Sequence, residues 1–132
     1  MTLHELSQLY WLDREIEADR QLLADLRARA SGLHGQKLDG MPHAGGGGDA
    51  LAGTMDKIIA LEAKIAEANA RRLDELAGLC AYIDAIPDSY TRQIFTLRFV
   101  NGFSWQQVAD AIGRGDTIDS VKKACYRFLR NH

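Results

Sequence analysis

The sequence predicts an all-α protein, and three observations carry that prediction. Apolar residues recur every seven positions through residues 3–31 and again through 50–86. The chain has only two prolines in 132 residues and is rich in Ala, Leu, Glu and Arg. Residues 103–130 carry the cap and turn signals of two short helices in succession. The expected architecture is a long helical hairpin or coiled-coil region over 1–86, with a Gly-rich loop at 32–49. A C-terminal helix-turn-helix head follows over 87–132.

The first helix is expected over 3–31. Leu9, Ile16, Leu23 and Ala30 form one row, and Leu12, Asp19 and Leu26 lie three residues after the first three. That spacing is a heptad seam. Leu3, Leu6, Tyr10 and Trp11 widen its apolar surface, and Gly32 and Gly35 are expected to end the helix. Seven of the eighteen residues 32–49 are glycine and one is proline, so this stretch reads as a flexible connection. A glycine run can cradle phosphate, but the Lys-Ser/Thr pair of a nucleotide loop is missing here.

The second helix is expected over 50–86, capped by Asp49 or Thr54. Leu51, Ile58, Ile65, Leu79 and Ile86 share a seven-residue grid, with Arg72 in the gap. Met55, Glu62, Asn69, Leu76 and Ile83 give the companion row, apolar at its ends and polar between. Ile59, Leu61, Leu73 and Cys80 add a second apolar edge. A helix of this length spans roughly 55 Å. It offers more apolar face than the first helix and a small head can cover. Self-association as a dimer or higher oligomer is therefore expected. Leu9, Ile16, Leu23, Leu51, Ile58, Ile65, Leu76 and Ile83 are the candidate oligomerisation residues.

In the head, Pro87 suits the first turn of a new helix, and Tyr90, Ile94, Leu97 and Phe99 form its inner face. Asn101-Gly102 is a turn, Ser104 an N-cap, and Phe103 can staple across it. Val108, Ala109 and Ile112 then share a face, and Gly113 can take the left-handed conformation that ends a helix. The last helix turns Val121, Ala124, Cys125 and Phe128 inward and Lys122, Lys123, Arg127 and Arg130 outward. Two short helices joined at a glycine, the second one basic, suit the DNA major groove.

Charge is unevenly divided. Residues 88–132 hold seven Lys/Arg and four Asp, net +3, whereas 1–87 hold nine and fourteen, net −5. Only the C-terminal part is suited to phosphate. The candidate DNA contacts are Lys122, Lys123 and Arg127 on the last helix, with Thr117 and Ser120 at its N-terminal end, where bases are read. Arg114 in the turn is expected to reach the DNA backbone. Ser104 and Gln106, at the start of the preceding helix, complete the surface.

Several classes are excluded by what the sequence lacks. Cys80 and Cys125 fall at inward positions and read as reduced core residues, and neither they nor the four scattered histidines have zinc-site spacing. No metal or other cofactor is expected. No Ser/His/Asp or paired-carboxylate constellation suggests an enzyme. The N-terminus is acidic and periodic, unlike a signal peptide, and no apolar run approaches the roughly 20 residues that span a bilayer. The expected location is the cytoplasm.

The stretch Ile86-Pro-Asp-Ser-Tyr-Thr-Arg-Gln-Ile-Phe-Thr-Leu-Arg-Phe-Val-Asn-Gly-Phe-Ser-Trp-Gln-Gln-Val-Ala-Asp-Ala-Ile-Gly resembles region four of bacterial sigma factors. The resemblance rests on the opening proline, the Arg98-Phe99 pair, the glycine turn, the Ser cap and the apolar-Ala-x-x-apolar-Gly helix. It covers about a third of the chain and implies a promoter-reading fold. From Gly113 to Val121 the turn is longer than the family's, so the bases read do not carry over. Nothing here resembles the sigma regions that melt promoters. The full layout, two long helices around Gly-Met-Pro-His-Ala-Gly-Gly-Gly-Gly-Asp and then this head, resembles small phage and prophage regulators of the autolysin-regulator and late-gene-activator type. That resemblance implies a transcriptional regulator that binds double-stranded DNA in the bacterial host's cytoplasm. Two other readings stand beside it. One is a small-terminase-like DNA-packaging subunit. The other is a coiled-coil adaptor whose head binds a protein such as RNA polymerase.

Overall fold

The computed structural model of the protein describes residues 1–36 and 46–132, and within them the chain is all-α. The elements are α1 (Leu3–Leu6), α2 (Gln8–Gln36), α3 (Gly46–Asp84), α4 (Ser89–Phe95), a π-helical stretch (Thr96–Val100), α5 (Trp105–Ile112) and α6 (Ile118–Asn131). No described helix is long and apolar enough to cross a membrane. Two compact units divide the chain. One comprises Met1–Asp13 and Arg71–His132, the other Arg14–Ala70.

The unit Arg14–Ala70 is built from the seam read in the sequence. Ile16, Leu23, Leu26, Ile58, Leu61, Ile65 and Ala68 are all buried, with Ala30 packed at the edge. The two helices of the seam run antiparallel, since Asp19 meets Lys64 and Arg27 meets Glu62. Asp19, the polar residue at a seam position, is buried but not unpaired. Lys64 Nζ lies 3.2 Å from its Oδ2 and 3.3 Å from its Oδ1.

The companion row of α3 differs from expectation. Leu61 and Ala68 fill it, three residues after Ile58 and Ile65, while Met55 and Glu62 are exposed. From Arg72 onward the buried series becomes Leu76, Leu79, Ile83, Ile86, with Leu76 half-buried. Four residues separate Arg72 from Leu76 where the first half of the helix spaces its row by three. This is a stutter in the heptad register. The companion row is thus not polar in its middle.

The seam is also consumed within the single chain. Leu9, Ile16, Leu23, Ile58, Ile65 and Ile83 are at most 8% exposed, and Leu51 and Leu76 are half-buried. These residues, expected to join separate copies, instead hold the chain's own helices together.

Glycine does not stop the long helices where the sequence suggests. α2 continues through Gly32 to Gln36, and α3 begins at Gly46, so Asp49 and Thr54 lie inside the helix. Thr54 Oγ1 donates to the Ala50 carbonyl at 2.8 Å rather than capping. Glycine inside a helix costs only about 1 kcal/mol, which a long helix tolerates. Half of the Gly-rich loop, residues 37–45, lies outside the described residues. The first helix, expected to run unbroken, is interrupted at Ser7. Thr2 and Glu5 cap the short α1 with a reciprocal capping box.

The other unit centres on Leu6, Leu9, Leu79, Ile83, Ile86, Ile94, Phe95, Phe99, Val108, Ala109, Val121 and Cys125. Phe95, the largest fully buried side chain, falls outside the inner face read from the sequence. It lies on the same face of α4 as the buried Thr91 and Ile94, four and one residues before it. A π-helical stretch follows, in which Asn101 N–H reaches back five residues to the Thr96 carbonyl at 2.9 Å, and its Phe99 meets Phe95 edge to face at 5.3 Å. Pro87 lies outside α4, whose N-cap is Asp88. The Thr91 hydroxyl and N–H both donate to that carboxylate, and these bonds hold it below its ordinary pKa.

Candidate nucleic-acid interface

The head contains the helix-turn-helix that the caps predict. Ser104 Oγ accepts from Gln107 N–H at 3.2 Å, and Gln107 Oε1 accepts from Ser104 N–H at 2.8 Å. Gly113 ends α5 at φ 77°, in the left-handed region where a side chain is disfavoured. Thr117 opens α6 with a second reciprocal box. Its Oγ1 accepts from Ser120 N–H at 3.2 Å, and Ser120 Oγ accepts from Thr117 N–H at 2.9 Å.

The turn between the helices is organised around Asp116, whose side chain is 11% exposed. Tyr90 Oη donates to it at 3.2 Å, Ser120 Oγ lies at 3.5 Å, and Arg114 pairs with it at 3.9 Å. Arg114 also lies over the Tyr90 ring, 4.9 Å from its centre. Burial, and then the Asp116 charge, push the Tyr90 phenol above its ordinary pKa, so it stays a donor. The long Gly113–Val121 connection is therefore a folded turn with its own anchor.

Several head cations serve the fold. Arg92 donates to the Ile86 carbonyl at 2.6 Å and the Pro87 carbonyl at 3.1 Å. Arg98 donates to the Phe103 carbonyl at 2.8 Å and stacks 4.7 Å over Trp105. Lys122, Lys123, Arg127 and Arg130 remain, all on α6, with no hydrogen bond or ion pair among the described residues. Val121 and Cys125 fix which way α6 faces, since both are completely buried. Burial also pushes the Cys125 thiol up to about 12, despite the opposing charge of Arg98. It is a core residue, as the sequence suggests.

The residues proposed from the sequence fall into two groups. Lys123 and Arg127 are exposed on α6, and Lys122 is half-buried at the edge of the same face. Thr117, Ser120 and Ser104 are committed to caps. Gln106 donates to Asp110 at 2.9 Å on α5, and Arg114 is folded onto Tyr90 and Asp116. Asp119 and Tyr126 are absent from the sequence-derived set. Both are exposed and, with Lys123 and Arg130, follow one another at spacings of four, three and four along the middle of the outer face. Tyr126 is held edge to face against Trp105 at 6.2 Å. Helical spacing alone is enough to reveal this row. The tie between Tyr90 and Asp116 has no local signal.

Among the described residues no cluster of His, Cys, Asp and Glu could hold a metal ion. No protein-family model matches the chain, and comparison with curated proteins and with solved structures finds no match.

Proposed function

We propose that the protein is a DNA-binding transcriptional regulator of the phage and prophage type, acting in a bacterial host's cytoplasm through its C-terminal helix-turn-helix. One observation carries the reading. Four cations with no partner among the described residues line the outer side of α6, a helix capped at its start and anchored by a folded turn. A solvated basic face needs none of this anchoring, whereas a helix inserted into a groove needs a fixed pitch. The sigma-region-four resemblance of residues 86–113 supports the same reading. The test is a titration of the full chain on its own genomic fragments across a salt series. Changing Lys122 and Arg127 to Ala should weaken binding to every sequence and reduce the salt slope by roughly one for each phosphate no longer neutralised. An unchanged slope places the DNA surface elsewhere.

A second reading, an adaptor that docks RNA polymerase or another protein, draws on Tyr10 and Trp11. They are 40% and 59% exposed, stacked edge to face at 5.1 Å, beside a cleft of about 460 Å³ lined also by Ser7, Arg98, Phe99 and Gly102. Aromatic pairs of this kind are typical of protein interfaces. Changing Trp11 to Ala separates the readings: it should spare DNA affinity and abolish polymerase capture only if the adaptor role holds.

A further inference from the structure

A recognition helix reads bases with the residues at the centre of its outer face near its N-terminus, and touches phosphate with those on the flanks and further along. In α6 the polar residues nearest that end, Thr117 and Ser120, already spend their side chains on the cap. The central row begins instead with Asp119 and continues, one turn on, with Lys123. Asp119 is exposed and has no hydrogen bond or ion pair among the described residues. A carboxylate in a first turn is favoured by the helix dipole. The dipole does not account for one placed in the middle of a face whose other charges are all positive, where it must repel the phosphates those cations attract.

Base chemistry supplies a reason. An ionised carboxylate only accepts hydrogen bonds. The major groove is mostly acceptors: guanine N7 and O6, adenine N7, thymine O4. Only the amino groups of cytosine and adenine donate, and adenine's lies beside the N7 lone pair, which repels a carboxylate. Cytosine's amino group has no such neighbour. We infer that Asp119 is the specificity-determining residue of the interface, accepting from the 4-amino group of a cytosine, with Lys123 donating to guanine N7 or O6 alongside. The inference rests on the DNA-binding reading above and adds the base that is read.

The test is selection from a randomised duplex library with the full chain, followed by titration of the enriched sequences at one salt concentration. The wild type should enrich a cytosine at one position of each half-site. Asp119→Ala should level that position, with a loss of discrimination of about tenfold, and leave the other positions unchanged. Asp119→Asn should move the preference from cytosine to adenine, because an amide can bond N6 and N7 together. Lys123→Ala should relax the neighbouring guanine. The inference is overturned if the wild type binds duplexes without a cytosine preference. It is also overturned if Asp119→Ala tightens binding to all sequences alike, which would mean that only repulsion was removed. Both outcomes leave the DNA-binding reading intact. A wild type that binds no duplex at any salt concentration overturns both.

Discussion

Tyr90 at the start of α4 donates a hydrogen bond to Asp116, 26 residues away in the turn before α6, at 3.2 Å. That bond ties the first helix of the head to the entry of the last one. The turn glycines Gly113 and Gly115 both hold positive φ, and such a connection has little stiffness of its own. Asp116 supplies it.

Tyr90→Phe should therefore lower stability by about 0.5–1.5 kcal/mol, the usual net worth of one hydrogen bond. Asp116→Ala should cost more, because it also releases Arg114 and leaves the Tyr90 hydroxyl unpaired. On the DNA-binding proposal, its larger effect should fall on operator DNA. Specific affinity should drop while non-specific affinity holds or rises, since a carboxylate is removed and Arg114 is freed. Denaturant unfolding and paired titrations on specific and random duplexes measure both. Wild-type values for both variants would show that the turn is held by something else.

The hairpin seam and the outer side of α3 should respond in opposite ways. Leu23→Ala removes a side chain only 8% exposed and should cost about 2–5 kcal/mol. Ile59 is 63% exposed and lies with Met55, Ala63, Ala66 and Ala70 on the exposed side of α3, spaced by three or four residues. If copies of the chain associate as the sequence leads one to expect, this face remains available for it. Ile59→Asn should then leave the unfolding midpoint almost unchanged and reduce the light-scattering mass to 14.6 kDa. A wild-type mass of 14.6 kDa at micromolar concentration would rule out the self-association expected from the sequence.

The two cysteines should separate by reactivity. Cys125 is completely buried with its thiol pushed up to about 12, whereas Cys80 is half-buried. One thiol should react with a small disulfide reagent in the native protein and two in denaturant. The buried neutral thiol also predicts an alkaline limit. Its folded pKa lies above the ordinary 9.0, so the folded state holds the proton more tightly. The associated stability is complete below pH 9 and is lost as pH rises toward about 12. Two thiols reacting equally fast in the native state would contradict this.

Much of this protein is legible in its sequence, because its determinants are local or periodic. The heptads of Leu9, Ile16, Leu23 and of Ile58, Ile65 select helix and name the buried face, since burial depends on spacing alone. Ser104, Gly113 and the alternation of Val121 and Cys125 with lysines and arginines place α5 and α6, because caps and amphipathic faces act over one or two turns. Tertiary structure decided what those faces meet. A heptad does not say whether its partner belongs to the same chain, and here the seam closes internally. Phe95 is fully buried because the packed core brings Phe99 and Phe128 to its ring, and Phe128 is distant in sequence. Asp19 looks like a defect in the seam until Lys64 arrives from α3 to pair with it, as Arg72 does with Asp13. Asp116 reads as one more turn residue until Tyr90 is brought to it. Each of these depends on a group distant in sequence, and only the packed chain sets such distances.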